Sequence, residues 1–246
     1  MKQQTIAMIL AAGKGTRLEN FTLTKPKALL EINGKTLLER VINQLITAGV
    51  SNIVINVHHF ADQIIEFLNK ADFKEIHIHI SDESGQIMDT GGGILKAREY
   101  FQNFNTVLIH NVDILSDLNL PLILEEFNKS NAKAWLLTQE RESSRKLLFD
   151  HHNQLCGWKD LRNKQYKWVN QPCNAYHEHA FSGIHLFKPA LFAVCPLEQV
   201  SIIDLYLSMA REFTIESKPI KTNYWFDLGK KSQIEEINRF FQLQEA

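Results

Sequence analysis

Hydrophobic positions along the chain switch between two periods. Residues 5–10 form an unbroken apolar run that a polar glycine loop ends, which predicts a strand buried on both faces. From residue 36 the apolar positions are Leu37, Leu38, Val41, Ile42, Leu45 and Ile46, one face of a helix, with Gly49 as its stop. Residues 53–57 read as a second strand, and 61–69 as a second helix turning Ile64, Ile65 and Leu68 inward. Over 75–80 the pattern alternates, with Ile76, Ile78 and Ile80 on one side and His77 and His79 on the other. That places the two histidines on the solvated face of an edge strand. A short helix follows at 94–101, a buried strand opens at 106–109, and 120–131 and 134–138 give a further helix and strand. Strand and helix alternating in this way predict an α/β fold with a doubly wound, mostly parallel sheet, whose ligands bind at the carboxyl ends of the strands.

Beyond residue 139 the pattern changes. Short segments at 147–149 and 155–158, set apart by polar turns, predict β-hairpins. A strand at 181–187, a helix at 202–213 with Leu205, Met209 and Phe213 in the core, and an amphipathic helix at 234–241 complete the reading. No proline-, glycine- or serine-rich linker separates the halves, so the expectation is one domain over 1–246, with a mixed β lobe in its second half.

Composition narrows the class. Of the 246 residues 44% are hydrophobic and 22% charged, the balance of a globular chain. Lysine and arginine number 27 against 28 aspartates and glutamates, a net charge of −1, which argues against a nucleic-acid or polybasic membrane binder. The apolar run at 6–12 is far short of the roughly 20 residues that cross a bilayer. Cys156, Cys173 and Cys195 are odd in number and widely spaced, which predicts no disulfide or zinc framework and a reducing, cytoplasmic setting. The histidine pairs lack a third ligand at metal spacing.

The candidate chemistry begins at residues 10–18, LAAGKGTRL. A buried strand runs through Leu10, Ala11 and Ala12 into Gly13 and Gly15, whose bare backbone lets phosphate oxygens approach the amides, Thr16 included. Arg17 and Lys14 add positive charge, and Pro26 stiffens the chain where Lys27 could project to the same mouth. The loop is not a Walker loop and lacks the dinucleotide fingerprint, because the third glycine would fall at Leu18. Thr90 to Gly93 reads either as a helix start capped by Thr90 or as bare backbone for a flat nucleobase at Gly91 and Gly92, with Glu83 and Asp89 flanking it. Asp113 and Asp227 each end a strand. Together they suit a divalent cation, since Mg²⁺ takes one or two carboxylates plus substrate phosphate oxygens. Without a cation two converging carboxylates repel, so neutralising one would be expected to relieve the ligand-free protein.

LAAGKGTRL followed by TLTKPKALLEING (22–34) resembles the signature of the sugar-phosphate nucleotidyltransferases. DTGGGI (89–94), HNVD (110–113), FSGI (181–184) and WFDLG (225–229) match later stretches of that family in order, so the resemblance covers nearly the whole chain. Within the family it is most similar to N-acetylmuramate-1-phosphate uridylyltransferases and mannose-1-phosphate guanylyltransferase-like proteins. The resemblance implies a Rossmann-like nucleotide-diphospho-sugar transferase fold, with a nucleotide-binding half at about 1–139 and a sugar-binding half at about 140–246. It also implies a nucleoside triphosphate and a sugar 1-phosphate as partners, Mg²⁺ as cofactor, and a monomer or small homo-oligomer. Arg17 and Lys27 would be catalytic and Asp113 and Asp227 would hold the metal. Asn111, Glu178 and Gly183 would meet the sugar. TKPKALLEING also resembles the phosphocholine cytidylyltransferase branch, and a non-catalytic nucleotide-sugar binder is the other alternative. Val112 stands where the family usually has glycine before its metal-binding aspartate; if that position needs φ > 0, valine there is strained.

Overall fold

The computed structural model describes residues 3–13, 15, 23–73, 76–85, 88–229 and 231–244. The elements run β1 (Gln3–Leu10), β2 (Glu31–Ile32), β3 (Lys35–Thr36), α1 (Leu37–Thr47), β4 (Asn52–Val57), α2 (Ala61–Lys70) and β5 (His77–Asp82). Next come α3 (Asp89–Lys96), β6 (Phe104–Asn111), β7 (Ile114–Ser116), α4 (Leu120–Lys129), β8 (Ala134–Gln139), β9 (Arg145–Phe149), β10 (Leu155–Asp160) and β11 (Gln165–Trp168). The chain closes with β12 (His177–Phe187), α5 (Ala190–Ala193), α6 (Ile202–Met209), β13 (Ile215–Pro219), β14 (Trp225–Asp227) and α7 (Lys231–Gln244). Among the described residues no helix is long and apolar enough to cross a membrane.

The chain folds as α/β and divides into two compact units, each assembled from three stretches of sequence. One comprises Ile6–Ile87, His110–Pro121 and Thr222–Ala246, the other Met1–Thr5, Met88–Ile109 and Leu122–Lys221. In the first, β1, β4 and β5 lie side by side and parallel, with Ala7 opposite Ile53, Leu10 opposite Asn56, and Ile55 opposite Ile80. Every residue of β4 is buried, as its apolar run requires of a strand covered on both faces. The Thr36 hydroxyl caps α1 by accepting the Glu39 N–H at 3.1 Å, and Leu37, Leu38, Val41, Ile42 and Leu45 fill its inner face. Gly49 takes φ +77° just past the helix, a conformation that costs glycine nothing. Of the α2 residues expected inward, Ile64 is buried while Ile65 and Leu68 are half-buried. His77 on β5 is exposed and His79 half-buried. β7 and β14 form an antiparallel ribbon, Ile114 opposite Asp227.

In the second unit the strand order is β11, β10, β9, β12, β6, with β8 beside β12 and β13 parallel to β8. This is the mixed lobe expected after residue 139. β12 is long enough to serve two partners: His177–His179 pair with β9, and Ala180–Phe187 with β8. Its register breaks between Phe181 and His185, where Gly183 takes φ +84°. A glycine of positive φ lets a strand absorb such a break without strain. Leu205 and Met209 of α6 are in the core, whereas Phe213 is half-buried beyond the helix end. The main departure from the sequence reading is α3, which begins at Asp89 rather than Ile94 and contains the glycine trio.

Candidate functional site

The first unit gathers the carboxyl end of β1, the turn after Pro26, the turn after β6 and the end of β14. Pro26 precedes a single 3-10 turn over Lys27–Leu29, closed by the Leu29 N–H on the Pro26 carbonyl at 3.0 Å. That turn sends the Lys27 side chain inward, where it is 9% exposed and its ammonium donates to Oδ2 of Asp113. A buried ammonium is tolerable only with a partner of this kind. Read from the sequence, Lys27 and Asp113 have separate duties; the structure pairs them.

Asp113 is held from both sides by backbone. Val112 N–H donates to the Leu10 carbonyl at 3.2 Å, tying the turn to the end of β1, and Leu228 N–H donates to the Asp113 carbonyl at 3.0 Å. Asp227, opposite Ile114 and just before Leu228, therefore lies next to Asp113 along the backbone ribbon although the two are remote in sequence. Val112 is buried and is not among the residues of positive φ, so the strain expected of valine at this position does not arise. Asn111 is half-buried, and its carbonyl accepts from Nδ1 of His110 at 2.8 Å, which fixes the imidazole tautomer. Nε2 of His110 has no hydrogen-bond partner among the described residues. Full burial pulls this imidazole down to about 4, against the opposing pull of the Asn111 carbonyl and the Asp113 charge, so it is neutral at ordinary pH.

The glycine loop is anchored by a residue the sequence reading passed over. Oδ1 of Asn56 accepts the Ala11 N–H at 2.7 Å and lies 3.4 Å from the Ala12 nitrogen. Its Nδ2 donates to Oε1 of Glu83 at 2.7 Å, and Asn56 and Glu83 are only 3% and 2% exposed. The signal was present: an amide side chain at the carboxyl end of an otherwise apolar buried strand has to be satisfied by something. The Ala11 amide thus serves the protein's own scaffold. Gly15 takes φ +63°, and a side chain added at Gly13 would meet no atom within 4 Å among the described residues. Thr16, Arg17 and Lys14 lie outside the described residues.

Gly91, Gly92, Gly183 and Glu178 belong to the other unit. Gly92 N–H donates to the Val200 carbonyl at 3.0 Å, and Val200 N–H to the Met88 carbonyl at 3.1 Å. A Cβ at Gly91 would lie 2.7 Å from the Ser201 oxygen, and one at Gly92 2.5 Å from the Glu198 oxygen. Close packing of the 198–201 segment is therefore reason enough for both glycines, whatever else approaches them. Thr90 is inside the first turn of α3 rather than its cap, and Oδ1 of Asp89, itself at φ +58°, accepts the Thr90 N–H. Glu178 accepts from the Lys159 ammonium.

Gly13 and Gly15 after a parallel strand, with Lys27 paired to Asp113 in the same compact unit, fit the class of α/β domains that handle nucleotides. The chain belongs to the MobA-like NTP transferase domain family, whose sequence profile matches residues 7–185. It is 42% identical over 110 residues to the N-acetylmuramate alpha-1-phosphate uridylyltransferase of Caulobacter vibrioides, a match covering 44% of this chain and 45% of that protein. Over 226 residues it is 27% identical to the mannose-1-phosphate guanyltransferase of Yarrowia lipolytica, covering 91% and 60%. The matches thus span about half of these two curated relatives. In fold it resembles the apo form of a UDP-glucose pyrophosphorylase, with a TM-score of 0.78 at 15% identity over 99% of this chain and 100% of that one.

Proposed function

We propose that the chain transfers a nucleotidyl group from a nucleoside triphosphate to a sugar 1-phosphate, releasing pyrophosphate. The best-supported forms are uridylyl transfer to N-acetylmuramate 1-phosphate and guanylyl transfer to mannose 1-phosphate. The observation that supports the reading most is the meeting of the end of β1, Lys27 and the Asp113 turn within one compact unit. The relatives' names supply the acceptor class. The cytoplasm is the proposed compartment, on the chain's cysteine usage.

In this chemistry an oxygen of the sugar phosphate attacks the α-phosphorus in line, and the bond to the pyrophosphate oxygen breaks. The nucleophile is already an anion, so no serine, cysteine or histidine has to activate it. Rate then comes from positioning and from charge placed where charge accumulates. Gly13 and Gly15 would admit the phosphates to the loop backbone, and Arg17 would hold the departing pyrophosphate. Lys27 would release part of its hold on Asp113 to meet the α-phosphate or the incoming sugar phosphate. Gly91 and Gly92 are proposed to lie along the nucleobase, and Asn111, Glu178 and Gly183 to meet the sugar.

The donor set fits Mg²⁺. Among the described residues Asp113 meets Lys27 through Oδ2, and Asp227, opposite Ile114 on the paired strand, would add a second hard oxygen ligand. Among the described residues no cluster of three or more His, Cys, Asp or Glu is present, and a Mg²⁺ that shares its shell with substrate phosphates requires none. When bound, the ion would neutralise phosphate charge.

The test is pyrophosphate release with each of four nucleoside triphosphates against N-acetylmuramate 1-phosphate, mannose 1-phosphate and phosphocholine. Release that requires triphosphate, sugar 1-phosphate and Mg²⁺ together is the expected result. Turnover with phosphocholine alone would move the chain to the cytidylyltransferases. A protein inert to every acceptor that still binds a nucleotide sugar tightly would make it a regulatory relative.

A further inference from the structure

The ribbon that brings Asp227 next to Asp113 is short. β7 and β14 have three residues each, and a two-stranded pairing of that length holds poorly by itself. All three residues of β7 are buried and all three of β14 half-buried. Neither strand therefore has the alternation of buried and exposed positions that fixes a register. The register observed sets Trp225 opposite Ser116, Phe226 opposite Leu115 and Asp227 opposite Ile114. Something beyond the two strands has to hold it.

Asp117 directly follows Ser116, the last residue of β7, and Asn223 and Tyr224 lead into β14. Oδ1 of Asp117 accepts the Asn223 N–H at 3.0 Å and the Tyr224 N–H at 3.3 Å. Its Oδ2 accepts the Asn223 side-chain amide at 2.6 Å and lies 3.2 Å from the Asn223 backbone nitrogen. Bonds from amides to a carboxylate are charge-assisted and stronger than those to a neutral oxygen. Asp117 is in turn pinned from α1. Nε2 of Gln44 donates to the Ser116 carbonyl at 3.1 Å and lies 3.4 Å from the Leu118 carbonyl. At the far end of the ribbon the Leu228 N–H donates to the Asp113 carbonyl at 3.0 Å. All of these residues belong to one compact unit.

We propose that Asp117 is a positioning residue for the reaction. By holding 223 and 224 it sets the register of β14 on β7, and so keeps Asp227 opposite Ile114 and next to Asp113. The role rests on the reading of Asp113 and Asp227 as one metal site. A slip of one residue turns every side chain of a strand to the opposite face, which would carry Asp227 away from Asp113. In the sequence, an aspartate just after a short apolar stretch reads as a turn residue. Only the fold shows that its carboxylate is spent on backbone 106 residues further on.

The experiment compares whole-chain wild type, Asp117→Ala, Asp117→Asn and Asp227→Asn, each well below its melting temperature. The first readout is residue-resolved amide hydrogen exchange. The Leu228 N–H is the reporter, because Asp117 does not touch it and its acceptor is the Asp113 carbonyl. The second is the affinity for Mn²⁺, standing in for Mg²⁺, by electron paramagnetic resonance. Asp117→Ala is expected to speed Leu228 exchange by about tenfold while amides of α1 and β4 keep their wild-type rates. It is also expected to weaken Mn²⁺ binding by about tenfold, as loss of a group that orients metal ligands does. Asp117→Asn keeps an acceptor oxygen for both backbone amides and should recover most of each effect. Raised Mg²⁺ should restore turnover of Asp117→Ala with the acceptor KM unchanged. Leu228 exchange at the wild-type rate in Asp117→Ala would overturn the proposal. So would Mn²⁺ affinity that falls in Asp227→Asn but not in Asp117→Ala. Mn²⁺ affinity unchanged in Asp227→Asn would instead remove the shared metal site, and Leu228 exchange alone would then decide whether Asp117 sets the register.

Discussion

Asn56 holds the backbone where β1 ends. It accepts the Ala11 amide with its oxygen and donates to Glu83 with its nitrogen, both in a buried setting. Replacing it with alanine orphans the Ala11 amide, which costs about 1–3 kcal/mol, and takes one donor from Glu83. Asn56→Ala should therefore lose about 1–3 kcal/mol in urea unfolding. Loss of less than half a kilocalorie would show that water replaces the amide without cost. His110 carries a prediction of its own. The imidazole is near 6.5 when unfolded and about 4 when buried, so between those values the unfolded chain binds the extra proton. Stability attributable to it is complete above pH 6.5, declines as the pH falls, and is lost by about 4. The span is about 3 kcal/mol at 1.36 kcal/mol for each pKa unit. The unfolding free energy of wild type minus that of His110→Phe should fall by about 3 kcal/mol from pH 7 to pH 4; parallel curves would mean that His110 takes up its proton as it does when unfolded.

Among the elements, α3 shows packing overruling local preference. Alanine is better than glycine in a helix by about 1 kcal/mol, so propensity alone favours Gly92→Ala. The added Cβ would meet the Glu198 carbonyl oxygen at 2.5 Å, a backbone atom that cannot rotate away. Overpacking of this kind costs about 1–3 kcal/mol and exceeds the helix gain. Gly92→Ala should lower the melting temperature, and Gly91→Ala, facing Ser201, should do the same. A rise in either would show that the 198–201 segment yields freely. The same packing explains why the helix start could not be read from the sequence. Residues 198–201 carry no pattern that announces where they will lie.

For the molecule as a whole, the pairing of β14 with β7 is what makes Asp113 and Asp227 neighbours. If they hold one ion, either Asp→Asn change removes most of the Mg²⁺-dependent turnover, and the double variant is little worse than the worse single one. Multiplicative losses, or an unchanged Mg²⁺ titration in Asp227→Asn, would separate them. The Lys27 contact alters the expectation for stability. Asp113→Asn deprives a 9%-exposed ammonium of its counter-charge, so the ligand-free variant should be less stable, by about 1–3 kcal/mol, rather than relieved.

What the sequence determined by itself is local and periodic. The apolar run of β1, the single buried face of α1, and the glycine at the end of each were all legible because they depend on neighbours a few residues away. The motifs at 10–18, 110–113 and 225–229 were legible for the same reason, as short strings at strand ends. Tertiary structure alone decided which of them meet. Lys27 finds Asp113, Asn56 finds Ala11 and Glu83, and Gly92 finds Val200 only after segments distant in sequence come together. Each of those contacts satisfies a buried polar group or fills a close approach, and the chain order holds no record of either until the fold has removed water from around them.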